Sequence, residues 1–175
     1  TAPPAEDTLP PDPEQEQAPG DEAVLAAYHQ AVEAFGWFQM THLPLDMEDA
    51  VPVGELIYYR VDNPGLETLA DLRGYLKSLF SDALVEGLLP ADSIQYIELE
   101  GVLYGLDGGR GSDITKGAET LQVLTGGEES RRTVRVSVEV LDPEQDFAVI
   151  GGETHDFPYE KIGDQWIFTN FYLIR

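Results

Sequence analysis

The sequence contains no cysteine, which excludes disulfides, thiolate metal sites and a cysteine nucleophile. That absence favours the envelope of a bacterium that does without disulfides over a eukaryotic secreted domain. Bases are scarce: 10 Lys and Arg stand against 33 Asp and Glu, for a formal net charge of −23. A surface this negative repels phosphate backbones and anionic lipid, so neither nucleic acid nor a polybasic membrane contact is expected. Histidine is also rare. His29, His42 and His155 stand far apart without a His-x-x-x-His spacing, and no metal or other cofactor is expected. No apolar run approaches the roughly 18 to 20 residues of a membrane span, and no signal stretch is visible. The chain opens on Thr1 rather than Met, which leaves room for an upstream segment; the missing signal is no argument against export.

What is present falls into two parts. Residues 1–20 hold six of the twelve prolines and the acids Glu6, Asp7, Asp12, Glu14 and Glu16, with almost nothing to bury. Such a stretch cannot recover its ordering entropy and is expected to be a disordered, self-repelling tether, suited to lifting an anchored domain off a surface. Residues 21–175 carry the apolar content of one domain. Removing residues 1–22 takes away seven acids and no base, leaving 26 acids against 10 bases, so the negative charge belongs to the domain as well.

Within the domain the hydrophobic period is helical first and alternating afterwards. Asp21 caps an expected helix with Val24, Tyr28, Ala31, Val32 and Phe35 on one face and Gly36 as its stop. Residues 56–61 read as a strand. Thr68 with Asp71 opens a second helix and Ser81 a short third, ended by Pro90. Strands are then expected over 94–99 and 102–106 about a tight Glu100-Gly101 turn, over 118–125, and over 133–141. The last puts Val134, Val136, Val138 and Val140 on one side. Strands 147–150, 157–162 and 166–174 follow, the first two separated by a bulge or break at Gly151-Gly152. Helices followed by an antiparallel run imply an α+β fold, with the helices packed on a curved sheet in a cystatin-like or nuclear transport factor 2-like cone. A lipocalin-like closed barrel is the second choice.

Chemistry is sparse. The Gly-rich stretch 105–113 lacks the Gly-Lys-Ser/Thr ending of a phosphate loop and the fixed spacing of a calcium loop. No serine sits in a Gly-x-Ser-x-Gly elbow. In a cone-shaped domain, proton abstraction by an Asp and a Tyr is the one enzymatic option for which residue types exist: Tyr58, Tyr59, Tyr104, Asp156 and Tyr172. A binding protein, not an enzyme, is therefore expected, steered by its acidity toward a basic partner.

From Leu69 to Arg175 the order of features is specific enough to compare. A helix ends in Tyr75-Leu76-Lys77-Ser78-Leu79-Phe80, and Ser81 starts another. Tyr96 leads into Glu100-Gly101-Val102-Leu103-Tyr104 and the Gly-rich loop, and Gly163-Asp164-Gln165-Trp166 precedes the last strand. This order resembles the IseA-type DL-endopeptidase inhibitor family of Gram-positive bacteria. The resemblance implies a secreted or lipid-anchored, cystatin-like protein, with any lipid upstream of Thr1. It implies binding to an NlpC-type cell-wall hydrolase with occlusion of the hydrolase cleft; the chain itself is expected to be a monomer. Glu98, Glu100, Tyr104, Asp107, Arg110 and Asp113 are the expected partner-binding residues, chosen because this stretch combines acids, a tyrosine and flexible glycine. The alternative is a nuclear transport factor 2-like domain that holds a small ligand, or turns one over, in an internal pocket.

Overall fold

The computed structural model describes residues 18–175, so all but the last three residues of the expected tether lie outside the described residues. The domain is α+β, as its period change implies. Helix α1 (Asp21–Gln39) is followed by β1 (Leu45–Val53), β2 (Leu56–Val61), α2 (Leu69–Lys77) and α3 (Asp82–Leu88). Strands β3 (Tyr96–Leu99), β4 (Val102–Leu106), β5 (Lys116–Leu124), β6 (Arg131–Asp142), β7 (Ala148–Ile162) and β8 (Gln165–Phe168) complete the chain. The strands divide between two antiparallel four-stranded sheets, ordered β1-β2-β4-β3 and β5-β6-β7-β8, where a single curved sheet was expected. The division falls at residues 107–115, whose glycines and aspartates cannot carry a strand from one sheet to the other. Among the described residues no helix is long and apolar enough to cross a membrane.

Local chemistry explains most boundaries. Thr68 and Asp71 form the expected capping box, each side chain accepting the other's backbone N–H. At α1 the cap is Gly20, not Asp21, which is the first helical residue. The helix also passes Gly36 and ends one turn later, where the Gly36 carbonyl accepts the N–H groups of both Met40 and Thr41. Gly36 is buried, as are Phe35 and Trp37 on either side of it. Packing thus outweighs the roughly 1 kcal/mol that glycine costs inside a helix. Glu100 and Gly101 have φ of 51° and 78°, the paired positive values of a primed two-residue turn.

Strand β1 was not anticipated, because Asp46, Glu48, Asp49 and Pro52 give it neither apolar alternation nor strand propensity. It lies at a sheet edge, pairing only with β2, where proline and acids are tolerated. The two short strands expected around Gly151-Gly152 are one continuous β7, and the irregularity shows in the pairing with β6 between Val140 and Leu141. Strand β8 stops at Phe168, well before residue 174, because Phe171 turns inward to pack on Tyr28, Phe35, Phe80 and Phe157.

The core lies between α1, the α2–α3 junction and the inner faces of the sheets. Val134, Val136 and Val138 of β6 are buried on the predicted face, with Phe157 beside them. Backbone bonds stitch the end of β8 to the helical junction: Ser81 N–H donates to the Phe168 carbonyl at 2.9 Å and Phe168 N–H to that of Leu79 at 2.8 Å. On the other sheet, the buried Tyr96 hydroxyl donates to the Trp37 carbonyl at 2.6 Å and accepts Leu43 N–H at 2.9 Å. One phenol thereby fixes β3 to the end of α1 and the segment after it.

Replacing Tyr96 by Phe should lower the unfolding free energy by about 1–3 kcal/mol, because Leu43 N–H is left without its acceptor. Burial also pushes the Tyr96 hydroxyl up to about 12 against an ordinary 10, the Leu43 N–H pulling the other way. The unfolded chain ionises first, so this contribution is whole below pH 10 and is lost as pH rises toward 12. Urea unfolding from about pH 8 to 11.5 should show the loss in the parent and a shallower one in Tyr96→Phe; parallel curves would contradict the assignment.

Candidate functional site

The six residues expected to bind a partner do not form one patch. Glu98 and Glu100 lie at the β3–β4 turn, whereas Asp107, Arg110 and Asp113 lie beyond the other end of β4. At about 3.4 Å per strand residue, Glu100 and Leu106 are separated by roughly 20 Å. Tyr104 is between them, half-buried in the sheet opposite Arg60 and Ile97. The Glu98 carboxylate is engaged within the domain, accepting the N–H of Leu69 at 3.1 Å, at the first turn of α2.

The Gly-rich loop is held down throughout. The Asp107 carboxylate lies 3.1 Å from His42 Nε2, and Gly111 N–H donates to the Met40 carbonyl at 3.1 Å. Arg110 donates to the carbonyls of Gly111 and Arg175, both at 3.0 Å. Asp113 accepts the N–H and hydroxyl of Thr115, and these bonds hold its carboxyl below the usual carboxylate range. Glycine at 109 is a packing requirement. A Cβ there would run into the Met40 carbonyl and sit 2.9 Å from Thr41 Cα. A shallow concavity of about 510 Å³ remains between this loop and Met40, Thr41 and His42.

The largest side-chain network was not anticipated, because its members are scattered in sequence. Lys116 donates to both oxygens of Glu153 at 2.8 Å, and Glu153 meets His155 Nε2 at 3.1 Å. His155 Nδ1 in turn meets the Tyr172 hydroxyl at 2.8 Å. Lys116 first, then His155, holds the Glu153 carboxyl low. Alternation along β7 puts Glu153 and His155 on the same side as buried Phe157, so the network continues the core face where the aromatic packing stops. Beside it Arg175 donates to Glu119 and to the Gly117 carbonyl. The arrangement fastens the C-terminal segment across the sheet. Asp156, a candidate for proton abstraction, is on the opposite side of β7, in a bidentate pair with Arg135 at 2.8 and 2.9 Å that holds its carboxyl low.

Among the described residues, exposed apolar side chains cluster at two hairpin ends, and others, Met47, Ile94, Ile114 and Ile162, are scattered elsewhere. Strand β4 pairs with β2 only at Tyr58, Tyr59 and Arg60, so the tip of the β1–β2 hairpin extends beyond the sheet as a two-stranded projection. Val53, Leu56 and Ile57 on this tip are 41%, 41% and 53% exposed. Val53 pairs with Leu56 and Pro52 with Ile57, so both faces of the tip are apolar. At the far end of the β6–β7 hairpin, Phe147, Val149 and Ile150 are likewise exposed. Residues 107–115 run between the turn ends of these hairpins, leaving β4 at Leu106 opposite Tyr58 and entering β5 at Lys116 opposite Val140. The expected loop is thus flanked by two apolar tips. A pattern of Val, Pro, Leu and Ile around Gly54-Glu55 was the signal for the first.

The chain matches no family model, and no curated protein sequence matches it.

Gly109→Ala should lower the melting temperature by several degrees and shift the amide resonances of residues 40–42 and 109–115, leaving those of the β1–β2 tip in place. A variant with unchanged stability would show that the loop is not pinned to the end of α1.

Proposed function

We propose that this domain is an extracytoplasmic inhibitor of a cell-wall DL-endopeptidase of the NlpC type, acting by setting its projecting hairpin into the enzyme's cleft. The observation that carries the reading is the β1–β2 tip, an apolar wedge only two strands wide that extends past its own sheet. A cleft-blocking protein needs a narrow element that keeps its shape in the cleft, and a hydrogen-bonded hairpin meets that need at little ordering cost. Exposed apolar tips on an otherwise acidic surface mark contact sites. The net charge of −23 favours a basic rim on the partner and accelerates encounter. The likeness in element order to the IseA-type family supplies the partner class; the lipid anchor and the cell-surface location belong to the same proposal.

The internal-pocket alternative has less support. Aromatic rings of Tyr28, Phe80, Phe157, Phe168 and Phe171 occupy the space between α1 and the β5–β8 sheet. Asp156 faces away from that space.

The test is a binding and hydrolysis assay with purified NlpC-type endopeptidases. The parent should form a micromolar or tighter complex and suppress cleavage of wall peptides. Leu56→Asp with Ile57→Asp should weaken it at least about tenfold, roughly 1.4 kcal/mol or more, with the circular dichroism unchanged. Glu100→Ala, at the opposite end of β4, should have no effect. Absence of both complex and inhibition at micromolar concentration would sink the proposal.

A further inference from the structure

A second concave surface lies away from the hairpins. Between α1, the turn after β2 and the exposed side of α2, a groove of about 650 Å³ is lined by Glu33, Trp37, Pro64, Ala70, Gly74 and Tyr75, with Asp71 at its edge. Three features define its chemistry. The rings of Trp37 and Tyr75 lie 5.7 Å apart at 32°, and since Trp37 is only 6% exposed the aromatic wall is chiefly the Tyr75 ring with Trp37 behind it. Ala70 and Gly74, one helical turn apart on α2, keep the floor low, and a Cβ added at Gly74 would meet nothing within 4 Å. The charged side chains on the lining are carboxylates.

The bases of α2 are committed elsewhere. Arg73 is bonded to Glu86 and to the Leu89 carbonyl, and Lys77 faces Asp82. Asp71 Oδ2 accepts the N–H groups of Glu67 and Thr68, which fixes its charge at the groove's edge. Glu33 projects from α1 toward the aromatic wall. Its field is felt there, since the Tyr75 hydroxyl is held above its ordinary value by burial first and by Glu33 second.

We infer that this groove takes a cationic side chain, lysine or arginine, from a basic protein partner, with the alkyl stem along Tyr75 and the cation at Glu33. An aromatic wall next to a carboxylate suits an ion that carries its own apolar stem. An anion would meet Glu33 and Asp71 with like charge. A purely apolar insert would strip water from Glu33 without a counter-charge. The turn after β2 is at the opposite end of that strand from the hairpin tip, so the groove is a separate site and stands or falls independently of endopeptidase inhibition.

The experiment is an NMR titration of the ¹⁵N-labelled full chain with three probes: Nα-acetyl-lysine methylamide, its arginine counterpart and its norleucine counterpart. The expected result is saturable shifts at Glu33, Gly74, Tyr75 and the Trp37 indole with the two cationic probes in the millimolar range. They should bind at least fivefold more tightly than norleucine. Glu33→Gln should reduce that preference at least fivefold while the remaining spectrum is unchanged. A short peptide presenting one central lysine should bind more tightly than the capped amino acid if the source is a protein segment; equal affinity would limit the site to free amines and overturn that part. Equal binding of norleucine, an unaffected Glu33→Gln variant, or unsaturable shifts spread over the acidic surface would overturn the site itself.

Discussion

The packing of Phe171 is the constraint on which the rest of the fold depends. Its ring meets Tyr28 and Phe35 of α1, Phe80 at the α2–α3 junction, Phe157 of β7 and Phe168 of β8, with centroid separations between 4.9 and 5.9 Å. Rings in such mutual contact add roughly 0.5–1.5 kcal/mol per pair beyond the area they bury. The energetic consequence is large, and the geometric one is larger. Because Phe171 must reach this cluster, the chain leaves the sheet after Phe168. The C-terminal segment then crosses under β7, where Tyr172 meets His155 and Arg175 reaches Glu119. The polar network at the end of the core face is thus a consequence of how the aromatic cluster closes.

Aromatic packing between α1 and the β5–β8 sheet moves the candidate chemistry to the surface, and several of the acids there are occupied with local structure. Asp71 completes a capping box, Glu98 receives a helical N–H, Asp113 closes a turn on Thr115 and Asp142 caps the short helical turn Pro143–Gln145. Each satisfies a backbone donor that would otherwise need water. An acid-rich loop in sequence is therefore a weak sign of a binding site. Asp107, Arg110 and Asp113 have the residue types of one, yet their side chains bind His42, the Arg175 carbonyl and Thr115.

Periodicity made much of the fold legible. The valines of β6, the capping box at Thr68 and the Glu100-Gly101 turn are each set by chemistry within a few residues, and each is where the local pattern implies. What was illegible depends on distant contacts. Gly36 reads as a helix stop until its burial inside α1 is known. Acidic β1 reads as a loop until β2 pairs with it, and residues 169–174 read as strand until Phe171 finds its neighbours. The candidate surface follows the same rule. Leu56 and Ile57 look like ordinary strand residues, and only the short overlap of β2 with β4 leaves them projecting.

In the proposed function, charge and apolar tips divide the work of recognition by range. Arg73, Lys77, Lys116, Arg131, Arg135 and Arg175 each form an ion pair with an acid of the domain itself. Most are at least partly exposed, where each pair contributes little to stability. With 26 acids against 10 bases after residue 22, an approaching molecule meets a predominantly negative field. That field falls off over about 8 Å at physiological ionic strength and raises the encounter rate more than the lifetime of a complex. Lifetime has to come from short-range burial, which the acids cannot supply because desolvating a carboxylate opposes it. In the proposed function that burial comes from the apolar hairpin ends, which lie near the two ends of the 107–115 loop.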